Sequence, residues 1–299
     1  MMKKYILILF ILGFVLNSAF AQDDATPVYP FQSGTMVDAQ TTFIPDARTL
    51  EFVIQHKFGS LENGKSDLWG IYAPGASIRL SLNYVPIKNF QVGAGVTKKS
   101  VFQYTDLNAK WTALSQNTGN MPVSLTLFGN VGIDVRNESV FGTGKVVDTK
   151  GETLPTSIAL TERLSYFSEA MISRKFGDWL ALQVGASFTH YNMAGWDYNH
   201  DIIGIHALGR IKFSPQGSII FTYDKPLKIE GITEQHNWDT HAKENLTIGV
   251  EFFTFTHAFQ IYVGTADGIL PQDIMMYNQN DWTNKGLALG FTITRLWMF

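Results

Sequence analysis

The chain has 299 residues, a net charge near balance at −3 and no cysteine. That charge argues against a nucleic-acid partner, and the absent thiols exclude disulfides, cysteine chemistry and a lipoprotein anchor. Aromatic residues are abundant, with 22 Phe, 11 Tyr and 7 Trp, while charged residues are only 16%, a balance open to a soluble all-β protein and to a membrane barrel.

Lys3 and Lys4, the apolar run 5–16 and the site Asn17-Ser18-Ala19-Phe20-Ala21 predict a secretory signal peptide over 1–21, cleaved before Gln22. The run is short for an anchoring helix. Residues 22–48 are polar, with Pro27, Pro30 and Pro45, and predict a periplasmic lead-in. From 49 to 299 the pattern has period two, in runs of roughly eight to twelve residues. Leu50, Phe52, Ile54 and Phe58 oppose Glu51, Gln55 and Lys57. Ile78, Leu80, Leu82 and Tyr84 oppose Ser77, Arg79, Ser81 and Asn83. Val92, Ala94 and Val96 oppose Gln91, Gly93 and Gly95, and Leu107, Ala109 and Trp111 oppose Asp106, Asn108 and Lys110. Similar runs follow around Leu125, Ile172, Val184, Ile205, Phe221, Ile248, Ile261 and Ile293.

This predicts about twelve strands, an even number suited to an outer-membrane β-barrel. The connections mostly alternate short and long, as periplasmic turns and outer loops do. Short ones fall at 86–89, 176–178, 214–217 and 254–257; long ones at 59–74, 136–156, 192–201, 225–244 and 266–285. A β-sandwich or lipocalin-like barrel has the same periodicity turned inside out. Three features favour the membrane. The polar faces carry Gly, Ser and Thr rather than dense Lys and Glu. Aromatics such as Phe58, Tyr84, Trp111, Trp179 and Trp297 sit near strand ends, as an interfacial girdle requires. The strand ending in Phe299 needs a neighbour to cover its edge, and closure supplies one. The expected fold class is therefore all-β: an antiparallel transmembrane barrel over 49–299, in the outer membrane of a Gram-negative cell.

The stretches 49–59 (TLEFVIQHKFG), 67–74 (DLWGIYAP), 78–84 (IRLSLNY), 122–126 (PVSLT), 257–260 (HAFQ) and 290–297 (GFTITRLW) resemble a family of membrane-bound β-barrel domains of unknown function found in Bacteroidota. The resemblance spans nearly all of the chain after the signal. It implies an outer-membrane barrel in a Bacteroidota-type host and supplies no activity.

By strand parity Glu51, Lys57, Arg79, Asp106, Lys110, Arg163, Glu169, Arg210, Lys212 and Glu251 point into the lumen. Such a set either forms a charge-selective constriction or pairs off, filling the lumen and bracing the wall. In three long loops a Trp adjoins an Asp: Trp196 and Asp197, Trp238 and Asp239, Asp281 and Trp282. A ring face beside a carboxylate suits a sugar or similar polar ring; alternatively these rings pack the loops over the barrel mouth. Glu234, His236, Asp239 and His241, with His200 and Asp201 in another loop, match no standard metal spacing, so neither metal nor cofactor is expected. His190 has Ser187 nearby but on the opposite face, and His257 has no nearby Ser, so no enzyme is expected.

The closing strand carries Phe291, Ile293, Trp297 and Phe299 on its apolar face, an ending that resembles the signal read by outer-membrane barrel assembly machinery. Arg295 interrupts that row and can snorkel at the rim. The expected partners are outer-membrane lipids, that machinery, and a small solute or glycan. The function expected from these features is a porin-like channel or uptake protein; the alternative is a barrel with a closed lumen that acts through its outer loops.

Overall fold

The structure, a computed structural model, describes residues 26–299 apart from 73–74, 101, 138–145, 148–152, 155–157, 196, 235, 237–239 and 284–285. The expected signal peptide lies outside the described residues. A short hairpin, β1 (Thr35–Met36) and β2 (Ala39–Gln40), comes first. Twelve strands then close into one antiparallel barrel. They are β3 (Thr49–Ser60), β4 (Ser77–Ile87), β5 (Phe90–Lys99), β6 (Phe102–Leu114), β7 (Ser124–Asp134), β10 (Leu164–Phe176), β11 (Leu180–Tyr191), β12 (Asp201–Lys212), β13 (Gly217–Pro226), β14 (Asn245–Phe253), β15 (His257–Gly264) and β16 (Ala288–Met298). Each pairs with its chain neighbours, and β16 pairs with β3 to complete the ring. The pair β8 (Val146–Val147) and β9 (Thr153–Leu154) lies in the connection after β7, and a helix α1 (Pro271–Tyr277) in the one after β15.

The alternation fixes which way each strand faces. On β4, Ser77, Arg79, Ser81 and Asn83 are buried while Ile78, Leu80, Leu82 and Tyr84 are exposed on the outer surface. The same division runs round the barrel, with Val96, Leu107, Val184 and Ile261 all more than half exposed outside. An apolar outer belt is what a hydrocarbon surrounding demands, and ring closure leaves no unpaired edge in it. Short turns gather at one mouth. Between β4 and β5 the turn rests on Asn89 at φ 64°, a left-handed conformation that Asn tolerates better than most residues. The long loops gather at the other mouth.

The lumen is filled from both ends. The expected lead-in, from residue 26 on, enters the short-turn mouth. Phe31, Met36, Val37 and Ile44 are all buried. Phe31, Met36 and Val37 pack with Ala181, Leu208, Ile220 and Tyr262 of the inner wall. The reason lies in the wall, whose inner face is partly apolar and gains by being covered. From the long-loop side, α1 folds inward. Pro271 opens it at a position where a missing N–H costs nothing. Met275 and Met276 pack against Phe128, Phe167, Met171 and Ile202. Gly204 makes room for this helix: a Cβ there would collide with Met275 Cε and lie 3.0 Å from Ser187 Oγ.

Candidate functional site

The hairpin's backbone polar groups need partners inside the lumen, and wall glutamines supply them. Gln260 accepts from Val37 N–H at 2.7 Å and donates to the Thr35 carbonyl at 3.1 Å. Gln183 accepts from Thr42 N–H at 3.0 Å and donates to the Gln40 carbonyl at 2.8 Å. Each primary amide, with one acceptor and two donors, thus stands in for a neighbouring strand. Val37 holds φ at 61°, a costly conformation for a β-branched residue, and is wholly buried.

The charged side chains expected in the lumen are mostly there, and they are tied to one another or to the inserted segment. Arg79 donates to Asp106 at 3.0 and 2.7 Å and to Gln55 and Ser81, both at 3.1 Å. Asp106 also accepts from Asn130 at 2.8 Å. Glu51 accepts from Asn83 at 3.0 Å, Gln91 at 2.9 Å and Gly34 N–H at 3.3 Å. Lys110 donates to the Gly34 carbonyl at 2.8 Å. Arg210 bonds Glu251 at 3.0 Å and Gln32 at 2.7 Å. Lys57 pairs with Asp38 at the hairpin tip and donates to the carbonyls of Ala266 and Gly268 at 2.9 and 2.7 Å. Glu169 is buried beside a void of about 20 Å³ that Asp38, His206 and Asp224 also line, roughly the space of one water.

Arg163 belongs to a 3-10 turn before β10 rather than to the strand wall, and donates to the carbonyls of Asp134 and Arg136 at 3.4 and 2.8 Å at the long-loop mouth. Lys212 ends β12 at inward parity, opposite Ser218 at the short-turn rim, and is half-buried.

A third arrangement escaped the sequence reading. His206 Nδ1 lies 2.7 Å from Asp224 Oδ1, and its Nε2 lies 2.7 Å from Ser187 Oγ. Asn245 donates to Asp224 Oδ2 at 2.7 Å. The order of hydroxyl, imidazole and carboxylate is that of a nucleophilic triad. Spacing along a single strand does not reveal it, because the three groups sit on adjacent strands β11, β12 and β13. Met275 Cε, Ser187 Oγ and His206 Nε2 all crowd the position that a Cβ on Gly204 would take.

The loop pairs are described only in part. Trp196, Trp238 and Asp239 lie outside the described residues. Asp197 accepts from Thr240 Oγ1 at 2.8 Å, and Asp281 pairs with Lys243 at 2.6 Å. Trp282 is exposed. Among the described residues no group of His and carboxylates could hold a metal. On the closing strand Phe291 stacks on His56 with ring centroids 5.2 Å apart, Ile293 faces outward, and Trp297 and Phe299 are exposed. Arg295 bonds His257 and Thr256 across the strand pair and lies over the Trp297 ring at 5.7 Å.

Above α1 the long-loop mouth holds a vestibule of about 530 Å³. Its floor is Asp273 and Tyr191, whose hydroxyl donates to Asp273 at 2.7 Å. Tyr277 meets the rings of Tyr191 and Tyr198 edge-on, at 5.2 and 4.9 Å between centroids. Burial pushes the Tyr277 and Tyr198 hydroxyls above their usual range, so both are neutral donors at ordinary pH. Arg136 lies over the Phe102 ring at 4.4 Å and grips Asp134 at 2.6 Å.

The profile of a family described as a membrane bound beta barrel domain (DUF5777) matches residues 31–297. No curated protein matches the chain. Among solved structures, an outer membrane channel from Pseudomonas putida superposes with a TM-score of 0.50 at 13% identity, covering 86% of this chain and 97% of that one. The NanC porin gives 0.48 at 6% identity, covering 84% and 99%, and the KdgM porin 0.46 at 8%, also 84% and 99%. At such identity the channel likeness concerns the fold alone.

Proposed function

The chain belongs to the family of the membrane bound beta barrel domain (DUF5777), and from that premise we propose an outer-membrane barrel, closed by its own N-terminal segment, that works from its long-loop face. A Bacteroidota-type host, lipid contacts along the outer belt and delivery by the barrel assembly machinery are part of the same proposal. The observation that carries it is the seated segment: its backbone is hydrogen-bonded to Gln183 and Gln260, and its tip is paired with Lys57. An open porin needs a water path, and residues 31–44 stand where that path would run.

Solute uptake survives as a second reading in one form, passage after the segment leaves. The inner wall favours it: once vacated, it would present Arg79, Lys110, Arg210, Glu51 and Glu251, a wet and charged surface. A cross-link separates the two. Ser33 Oγ lies 3.1 Å from Thr294 Oγ1, so a Ser33→Cys, Thr294→Cys pair can tether the segment to the wall. Closed-barrel function predicts electrically silent bilayers whether the pair is oxidised or reduced. Uptake predicts current in the reduced protein that oxidation abolishes. Steady current in the oxidised protein would refute both.

A further inference from the structure

We propose that the long-loop vestibule is a binding site for a small, uncharged, ring-bearing molecule, one carrying at most a hydroxyl as its polar group. This rests on the closed-barrel reading, in which the long-loop face is the working face, and adds the site and the ligand class.

The volume, about 530 Å³, is that of a small-molecule pocket, for which roughly 300–1,000 Å³ is usual. Rings and methyl-bearing side chains dominate the uncharged lining: Tyr191, Tyr198, Tyr277, Phe102, Leu164, Met193 and Ala194. Edge-on packing fixes the three tyrosine rings against one another, so a planar or chair-shaped ring meets a preorganised surface.

Charge selects the ligand class by exclusion. The vestibule is lined by ionic groups of both signs, and each is already committed. Arg136 donates to both carboxylate oxygens of Asp134. Lys99 pairs with Asp267 at 2.8 Å. Arg163 donates to two main-chain carbonyls. Glu162 caps Ala159 N–H at 2.7 Å, and Asp273 accepts from Tyr191. The charges of the lining and their partners are of both signs and largely offset one another, so a charged ligand gains little net attraction in exchange for its own desolvation. A neutral ring displaces water from apolar walls, and its hydroxyl can accept from a tyrosine O–H.

The test uses the full-length barrel in nanodiscs, with empty nanodiscs subtracted, and fluorine line-broadening of three matched probes: 4-fluorobenzyl alcohol, 4-fluorobenzoate and 4-fluorobenzylammonium. The alcohol should bind saturably, at least about tenfold more tightly than either ion. Ala194→Trp fills the vestibule from a loop position and should weaken it by at least about tenfold. Phe255→Ala, in the exposed short turn at the opposite mouth, should stay within about threefold. Absence of saturable binding, benzoate or benzylammonium equalling the alcohol, or unchanged affinity in Ala194→Trp would each overturn the proposal. Heat-modifiable migration on gels confirms that each variant is a folded barrel. Bilayer current from the same preparation reports on the closed-barrel reading alone, so the two can fail separately.

Discussion

Replacing Lys57 with Met tests whether the N-terminal segment is latched by charge. The Lys57 and Asp38 side chains are 2% and 1% exposed. Methionine keeps a long side chain but removes the ammonium. Asp38, whose Oδ1 already has no partner, then sits in a dry site without its counter-charge. Removing one member of a buried pair costs about 3–5 kcal/mol. Release from the lumen escapes that penalty, while the wall keeps its ladder on both sides of β3. At about 1.4 kcal/mol per tenfold, the released population should rise by roughly two to three and a half orders of magnitude. Because the chain lacks cysteine, a Ser33→Cys reporter is unique, and Ser33 is only 3% exposed. Its rate of modification by a charged maleimide reads the released fraction directly. Lys57→Met should accelerate it by that factor, and Lys57→Met with Asp38→Leu should return it to within about tenfold of the parent. Equal rates in parent and single variant, or no recovery in the double, would refute the latch.

Two further outcomes follow from the mouth and the ending. Burial lifts the Asp273 carboxyl above the usual carboxylate range, with Lys99 opposing. A folded pKa above the unfolded value makes the seated α1 bind its proton more tightly, so its stability is lowest above the folded pKa and grows as pH falls through it. Hydrogen exchange of α1 amides, corrected for intrinsic rates, should therefore be slower at about pH 5 than about pH 8, and flat in Asp273→Asn; the opposite slope would contradict the assignment. Deleting Phe299, which is 80% exposed and anchored by its backbone N–H to Arg48 at 3.2 Å, should cut assembly yield in cells without lowering the melting point of the refolded barrel. Normal insertion would show that this ending is not a recognition signal.

The barrel was legible because period two repeats without interruption and the lipid side tolerates few exceptions. The contents of the lumen were not, although a sign of them lay in the same strands. Val53, Phe128, Phe167, Met171, Leu208 and Ile220 sit at inward parity and are all buried. Apolar side chains facing an open water path would be exposed, so their presence called for a cover. The segment 22–48 reads as a lead-in because it is polar and its prolines mark a lack of regular structure, and neither feature speaks of burial. The triad-like Ser187, His206 and Asp224 were invisible for another reason: the contact depends on register between three strands, which parity alone does not fix. The vestibule depends on loops folding inward, and its tyrosines Tyr191, Tyr198 and Tyr277 are scattered over β11, a loop and α1.

The inserted segment also changes what holds the ring shut. Strands β3 and β16 are far apart in the chain, and their pairing, with a register shift near Gly290, carries the largest loop-closure cost in the barrel. One carbonyl, that of Val37, accepts from Gln55 of β3 at 3.0 Å and from Thr292 of β16 at 2.8 Å. Ser33 reaches Thr294, while Gly34 and Asp38 reach Glu51 and Lys57. The segment is thus a splint laid across the seam from within. Closing the hoop and seating the splint reinforce each other, and a barrel that loses the segment loses a clamp at the one joint where its two ends meet.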